Sequence, residues 1–569
     1  LLVASVLAAL LTACSLNGGV VSGSVVNLGQ IGQINSINSD VSGALDGEIN
    51  ASELANLTTA KFYELDQTGR LQPNTKLGTV EVVSKSPLQV KYTLVDSANW
   101  SDGTPIDAAD LLLSFAAGSG VENFYSIRAG SGLMFAKPVG KYSIGDKSIT
   151  LEYSKPVADY ETAITLAVAA HTVGRIGAAN LSVSEAKQRI LDAVQNRDLT
   201  SLALIAQAYR SGFNTWQGLA DDKLFVSSGP YSVVKCAGSL ALQLKANAGF
   251  NLGPAPVIET VNLTYFEDAT AAVAAISSGS IDATTTADSG LVTISDLIKL
   301  SSAITEPKAN AWVRASSKIE QVLFNFKDTS RFSTTYQGGD AAKALKLRQA
   351  FMNIIPRARI VAGLNDAYRV EQSNSLVFQS GSPYYEASIR DNGLSDYLFQ
   401  DVEKAGEMVT ATGIELPMRV RVAYDLNNPR AQAEWTLLRE RAASAGFKLR
   451  AVGGDDLAET LRSGQFDVYI GSQPLVSLEG QNVFELTTSS MTGFASAEID
   501  ALLADYAAAT DERGRATALK AIDAELIKEA YGMPLYEVAA LVVYSDRFSS
   551  FTASPRAESV TWGYQNWKL

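Results

Sequence analysis

One histidine, two cysteines and two adjacent acidic pairs are the residues of this 569-residue chain best suited by type to chemistry. They are His171, Cys14 and Cys236, Asp221-Asp222 and Asp455-Asp456. Their spacing argues against most of what they could do. A zinc site needs several Cys, His or carboxylate ligands in a close set. A lone histidine and dispersed cysteines do not supply one, so no metal site is expected. A Ser-His-Asp arrangement has to use His171, and no G-x-S-x-G elbow occurs in the chain. His171 follows the apolar run Leu166 to Ala170 and reads as a satisfied structural residue. Neighbours on a strand point to opposite faces, so the acidic pairs do not converge on one substrate. Two cysteines make no disulfide framework. The chain is not expected to be an enzyme, and no cofactor is expected.

Charge narrows the partners. The net charge is -13 and the pI about 4.9. A nucleic-acid binder needs a basic footprint to displace counterions from phosphates, which is missing here. The acidity gives no pull toward anionic lipids either. Any membrane attachment has to come from a different source.

The N-terminal segment offers that source. Leu1 to Ala13 is almost wholly apolar. It is shorter than the roughly 20 residues that span a bilayer. It has the length of a signal-peptide h-region. No charged segment precedes it, so the sequence is expected to start inside the signal. Leu11-Thr12-Ala13-Cys14 resembles a bacterial lipobox. The resemblance implies that Cys14 is acylated and becomes the new N-terminus. Ser15 to Ser24, rich in Gly, Ser and Asn, then reads as a flexible tether. Each buried methylene contributes on the order of 0.8 kcal/mol, and stable anchoring takes more than one chain, as a diacylglyceryl group provides.

The elements that must position any site alternate through the body. A chain of this length exceeds what one hydrophobic core supports, so two or more lobes are expected. Val25 to Ile34 alternates as a first strand, and Glu53 to Phe62 reads as helix. Glu81 to Leu94 reads as a hairpin about Lys85-Ser86-Pro87. A helix over Asp107 to Phe115 takes Asp107 as its N-cap. Lys141 to Tyr153 reads as two strands about Gly145-Asp146. Ser184 to Tyr209 reads as a long helix broken near Arg197-Asp198. Strands are expected within Leu224 to Lys245, Val261 to Phe266, Met418 to Tyr424, Lys448 to Val452, Phe466 to Gly471 and Leu541 to Tyr544. Helices are expected over Ala269 to Ser277, Ala342 to Ile355, Val402 to Thr410, Ala431 to Ala445, Ser496 to Ala508 and Glu512 to Glu529. Such alternation argues for α/β layering with partly parallel sheets. No long low-complexity linker divides the chain, so the lobes are expected to interweave.

A series of short phrases carries a resemblance. Trp100-Ser101-Asp102-Gly103-Thr104-Pro105-Ile106 precedes Ala108-Ala109-Asp110. Gly229-Pro230-Tyr231, Ser278-Gly279-Ser280-Ile281-Asp282 and Leu323-Phe324-Asn325-Phe326 follow. Then come Leu347-Arg348-Gln349-Ala350-Phe351, Pro356-Arg357, Gly464-Gln465-Phe466-Asp467-Val468, Ile499-Asp500-Ala501-Leu502-Leu503 and Pro534-Leu535-Tyr536. In this order they resemble the family 5 extracytoplasmic solute-binding proteins, which bind peptides or nickel for ATP-driven importers. Pro356 stands where that family usually has aspartate.

The resemblance implies an α/β, two-lobed periplasmic-binding-protein-like fold (type II, large peptide-binder class) with an extra subdomain and an interlobe ligand cleft. The implied division is 1–14 signal h-region and lipobox, 15–24 tether, and 25–66 first lobe. Residues 67–225 form the extra subdomain, 226–307 the first lobe again, 308–530 the second lobe, and 531–569 a return to the first. It implies a monomer that captures a small molecule, an oligopeptide in the first instance, and passes it to a permease and ATPase in the cell membrane. An oligosaccharide or metal chelate as ligand, or a signalling or adhesion role, is the alternative.

Turn and cap chemistry already accounts for Trp100 to Asp110, which is read as scaffold. Arg348 is read as a packing or ion-pair residue. The expected ligand-binding residues are Asn35 and Ser36 after the first strand, Asn325, and Gln473 after the strand of Asp467. Trp312 and Phe494 are expected as aromatic walls. Many peptide binders of the family hold the ligand's amino group with an aspartate in an acidic phrase after that strand. Ile470 to Glu479 has none, and Glu479 substitutes only if the loop folds back. That counts against recognition of a free amino group.

Overall fold

A computed structural model describes residues 19–41, 48–121, 124, 132–216, 222–287, 293–364, 372–454, 456–474, 491–548, 550–552, 554 and 559–569. Cys14, Asp221, Asp455 and Glu479 lie outside the described residues.

Alternation of side chains builds the sheets. In Leu88–Leu94 the residues Leu88, Val90, Tyr92 and Leu94 are buried, and the residues between them are half-buried. That period of two is a strand covered on one face. It pairs antiparallel with Gly78–Lys85 and Ser148–Tyr153, and Ala136–Pro138 adds the far edge of a four-stranded sheet. The expected pair about Gly145-Asp146 is thus corrected. Only Ser148–Tyr153 is a strand, because Asp146 takes part in a turn in which its side chain accepts from the Ser143 N–H at 2.7 Å. Asp107 caps the helix Ala108–Ser119 in a capping box with Asp110. Lys187 from the helix Val183–Asn196 reaches under this cap, 3.0 Å from Asp107 and 3.1 Å from Asp110. The expected break falls at Arg197, in the left-handed region, and a second helix runs Leu199–Ser211.

The large sheet has ten strands among the described residues. From one edge they are Phe447–Val452, Met418–Ala423, Val468–Pro474, Ala309–Phe324 and Gly532–Ser545. Then come Ala283–Ala287, Val21–Ile31, Ile258–Phe266, Ala241–Ala246 and Tyr231–Cys236. Parallel pairing occurs in each half: Val21–Ile31 with Ile258–Phe266 and Ala283–Ala287, and Met418–Ala423 with its two neighbours. Ala309–Phe324 and Gly532–Ser545 are the two strands that run through both halves.

Gly532–Ser545 is buried at nearly every residue, as a central strand covered on both faces must be. The long strand Ala309–Phe324 was not anticipated, since its polar stretch Arg314 to Gln321 shows no clean alternation. Gly229 of the Gly-Pro-Tyr phrase lies against the backbone of Thr58 and Thr59. A Cβ there would fall 2.4 Å from the Thr58 carbonyl carbon. Among the described residues no helix is long and apolar enough to cross a membrane.

Candidate functional site

The two long strands define where the halves of the molecule join. Ala309 to Ala315 pairs with Ser545 to Ala539, beside Ala283–Ala287. Ile319 to Leu323 pairs with Glu537 to Gly532, beside Val468–Pro474. The register breaks between, at Ala315/Ile319 and again at Glu320/Gln321. Both long strands are thus interrupted at one level, the join between the two halves, called the hinge here.

Polar groups are concentrated at the hinge. Glu320 is buried and pairs with Arg430 at 3.1 Å, while Ser472 donates to the same Glu320 oxygen at 2.6 Å. Tyr536 donates to Glu434. Burial, with the Glu434 charge added, pushes the Tyr536 phenol well above its usual range. The segment 372–384 runs outward from this point as one wall. Gln372 bridges to Tyr536, and Gln379 donates to the Ser316 carbonyl at 2.9 Å. Ser380 donates its hydroxyl to Glu537 at 2.8 Å. Arg357 anchors the wall from behind, donating to the carbonyls of Pro534, at 2.8 Å, and Ser373.

The outer end of the wall reaches the helix Glu512–Lys528, where Tyr384 bonds Glu512. Here the other half of the chain crosses over. Arg515 pairs with Glu161 at 2.6 Å, Tyr160 donates to the Thr510 carbonyl at 3.0 Å, and Arg70 stands 3.7 Å from Glu512. Burial raises the Glu161 carboxyl, and Arg515 offsets part of that rise. Four buried polar atoms along this stretch have no hydrogen-bond partner, Gln372 Nε2, Ser382 Oγ, and Nε and Nη1 of Arg515, while Glu512 Oε1 faces Arg70. The Ser382 hydroxyl can both donate and accept, and the other three atoms are N–H donors.

The expected site residues fall into separate groups. Asn35 and Ser36 sit together past the end of the first strand, both buried. Asn35 accepts from Ser239 at 3.1 Å, and Ser36 accepts from the Asn38 N–H at 3.1 Å. Gln473 is half-buried at the hinge, opposite Ile319. Trp312 is 47 % exposed on the other half of the same long strand, opposite Val542. Asn325 and Phe494 lie together beyond the strand's far end, roughly 20 Å from the hinge at 3.3 Å per residue. The Asn325 amide donates to the carbonyls of Gly464 and Phe466 at 3.1 and 2.7 Å. Phe494 packs edge-on against Phe326 and Tyr531. Both are fully enclosed. Sequence reading passed over Ser382 and Gln372, and took Arg515 only as part of the phrase Arg513 to Arg515, which resembles the family's C-terminal helices. No local pattern marks Ser382 and Gln372, because what they face comes from distant parts of the chain, as Tyr536 does for Gln372.

The scaffold readings stand on geometry. His171 is fully buried and bonds Asp102 through Nε2 at 2.9 Å, but its Nδ1 has no partner, so the expected satisfied residue is only half satisfied. Burial alone would raise Asp102, but the bonds from His171 and Thr104 bring it down to about 2. Gly103 has φ +83°, which the turn requires. Arg348 is buried over the Phe326 ring and donates to the Phe332 and Glu529 carbonyls. Among the described residues no group of three metal-ligating side chains occurs.

Comparison with known proteins adds the remaining evidence. The chain is 23 % identical over 522 residues to an uncharacterized lipoprotein of Mycobacterium tuberculosis, covering 88 % of this chain and 86 % of that one. Its fold matches a periplasmic EDTA-binding protein, EppA, at a TM-score of 0.74 and 18 % identity, over 97 % of this chain and 98 % of that one. It also matches the oligopeptide-binding protein AppA of Bacillus subtilis in complex with a nonapeptide, at 0.62 and 15 % identity, over 96 % and 98 %. Residues 72–494 match the family model for bacterial extracellular solute-binding proteins, family 5. The chain therefore belongs to the family 5 bacterial extracellular solute-binding proteins, extracytoplasmic carriers that capture a small molecule for an ATP-driven importer and perform no catalysis.

Proposed function

We propose that this chain is a lipid-anchored carrier that encloses an oligopeptide beside the hinge strands and delivers it to a membrane permease. One observation carries the peptide reading. The wall from Gln372 to Arg515 leaves N–H donors, and a hydroxyl that can donate or accept, unmatched in buried positions. A buried polar atom without a partner costs about 1–3 kcal/mol. A peptide backbone presents N–H and C=O groups in alternation and can answer both kinds. Attachment through Cys14 is supported by the lipobox-like Leu11 to Cys14 and by relatives named as lipoproteins. A metal chelate is the second reading, and the fold match to an EDTA-binding protein favours it.

Thermal unfolding distinguishes them. A ligand that binds the folded state alone stabilises it by about 2.7 kcal/mol at a hundredfold excess over Kd. A pool of synthetic tri- to nonapeptides is expected to raise Tm, and Fe(III)-EDTA to leave it in place. The opposite result would establish the chelate reading. Mass spectrometry of solute carried through purification gives the ligand's identity directly.

A further inference from the structure

We infer that the protein carries a second binding site, remote from the hinge, in a cavity that takes a small saccharide. The cavity measures about 430 Å³ and is lined in part by Phe551, Thr552, Gln565, Asn566, Trp567 and Lys568. That volume lies within the range usual for small-molecule sites. Trp567 is fixed in place, its ring set edge-on to Phe548 at 5.8 Å and tilted over Tyr231 at 6.5 Å. It is fully enclosed, and its indole N–H has no hydrogen-bond partner. An unmatched buried donor is costly, and an oxygen atom of a bound solute relieves it. The Asn566 amide donates to the Thr552 hydroxyl at 3.5 Å, a long bond that an incoming hydroxyl can replace.

The lining selects the solute's chemistry. It combines an aromatic ring, a fixed N–H donor, and amide and hydroxyl groups that both donate and accept. A hydrocarbon would leave those polar groups unmatched. A multiply charged anion would meet one cation, Lys568. A sugar answers the whole set, since its hydroxyls donate and accept in turn and its C–H face can cover the half-buried Phe551 ring. The position keeps this site apart from the hinge. Val257 lines the cavity and precedes the strand Ile258–Phe266, whose far end stands level with the hinge end of Ala283–Ala287. At 3.3 Å per residue that strand separates the two by roughly 30 Å. The Val21 N–H donates to the Val257 carbonyl at 2.8 Å, so the cavity lies beside the start of the first strand. An occupant here does not compete with a solute enclosed at the hinge.

The test follows the indole N–H signals of the six tryptophans in 15N-labelled protein. Glucose, N-acetylglucosamine, maltose and cellobiose are titrated to about 10 mM, enough to reveal Kd values in the millimolar range. At least one sugar is expected to shift the Trp567 signal, which Trp567→Phe identifies by its loss. Asn566→Ala combined with Lys568→Ala changes two exposed side chains. It is expected to weaken that sugar by about tenfold or more and to leave the Tm of the unliganded protein in place. Saturation with peptide from the binding pool or with Fe(III)-EDTA is expected to leave sugar affinity unchanged. No indole shift with any sugar, or full sugar affinity in the double variant, would overturn the site. Displacement of the sugar by peptide or chelate would overturn it as well, placing the sugar at the hinge. The carrier reading stands apart from each of these outcomes. Retention on insoluble cell-wall glycan, reversed by free sugar, is the result expected if the natural source is a polymer; binding of free sugar alone is the result expected of a soluble one.

Discussion

Glu53 is closed off from solvent and holds the chain's last segment in place. Its carboxylate accepts from the N–H groups of Val560 and Thr561 at 2.8 and 2.9 Å, and from the Thr561 hydroxyl. Burial pushes it from 4.5 up to about 7, and these bonds offset part of the rise. Below pH 4.5 the group is neutral in both folded and unfolded chains, and its contribution to stability is whole. Above that the unfolded chain releases the proton first, so stability declines as pH rises and the contribution is gone once pH passes about 7. The difference in Tm between wild type and Glu53→Gln is therefore expected to shift against the wild type from pH 5 to pH 8. A difference that stays constant with pH would show that Glu53 does not titrate in this range.

The hinge is an element-scale property. Neither long strand is weak by itself; each is paired on both sides in part of its length. What differs at Ser316 to Lys318 is the loss of regular pairing between Ala315 and Ile319. Local openings follow missing backbone bonds. Amide exchange measured by mass spectrometry is expected to be faster over 316–318 than over 320–324, and to slow when ligand binds. Equal protection in both stretches would place the hinge elsewhere. Sequence reading located most helices closely, because caps such as Asp107, Asp268 and Asp511 and a period of 3.6 are local signals. It missed Ala309–Phe324, because a strand crossing between two halves serves two environments and keeps no single alternation.

Attachment and capture belong to the whole molecule. The net charge of -13 gives the body no affinity for an anionic membrane, so the proposed attachment rests on a lipid at Cys14. In cells making the full-length protein, Cys14→Ser is expected to move it from the membrane pellet to the soluble fraction. It is expected to leave peptide affinity of the purified body unchanged. Retention in the pellet would mean that another segment holds the protein.

The family, the α/β layering and the absence of a catalytic set were legible in order and composition, since turns, caps and residue inventory are local or global properties of the chain. The wall proposed to face the ligand was not. Asn325 and Phe494, expected as a ligand contact and an aromatic wall, are fully enclosed, while Ser382 carried no mark and Arg515 was read only within the helix phrase Arg513 to Arg515. Burial and unmatched hydrogen bonds are properties of surfaces brought together from distant segments. Glu161 and Arg515 are 354 residues apart in the chain and 2.6 Å apart in space, and only folding decides that.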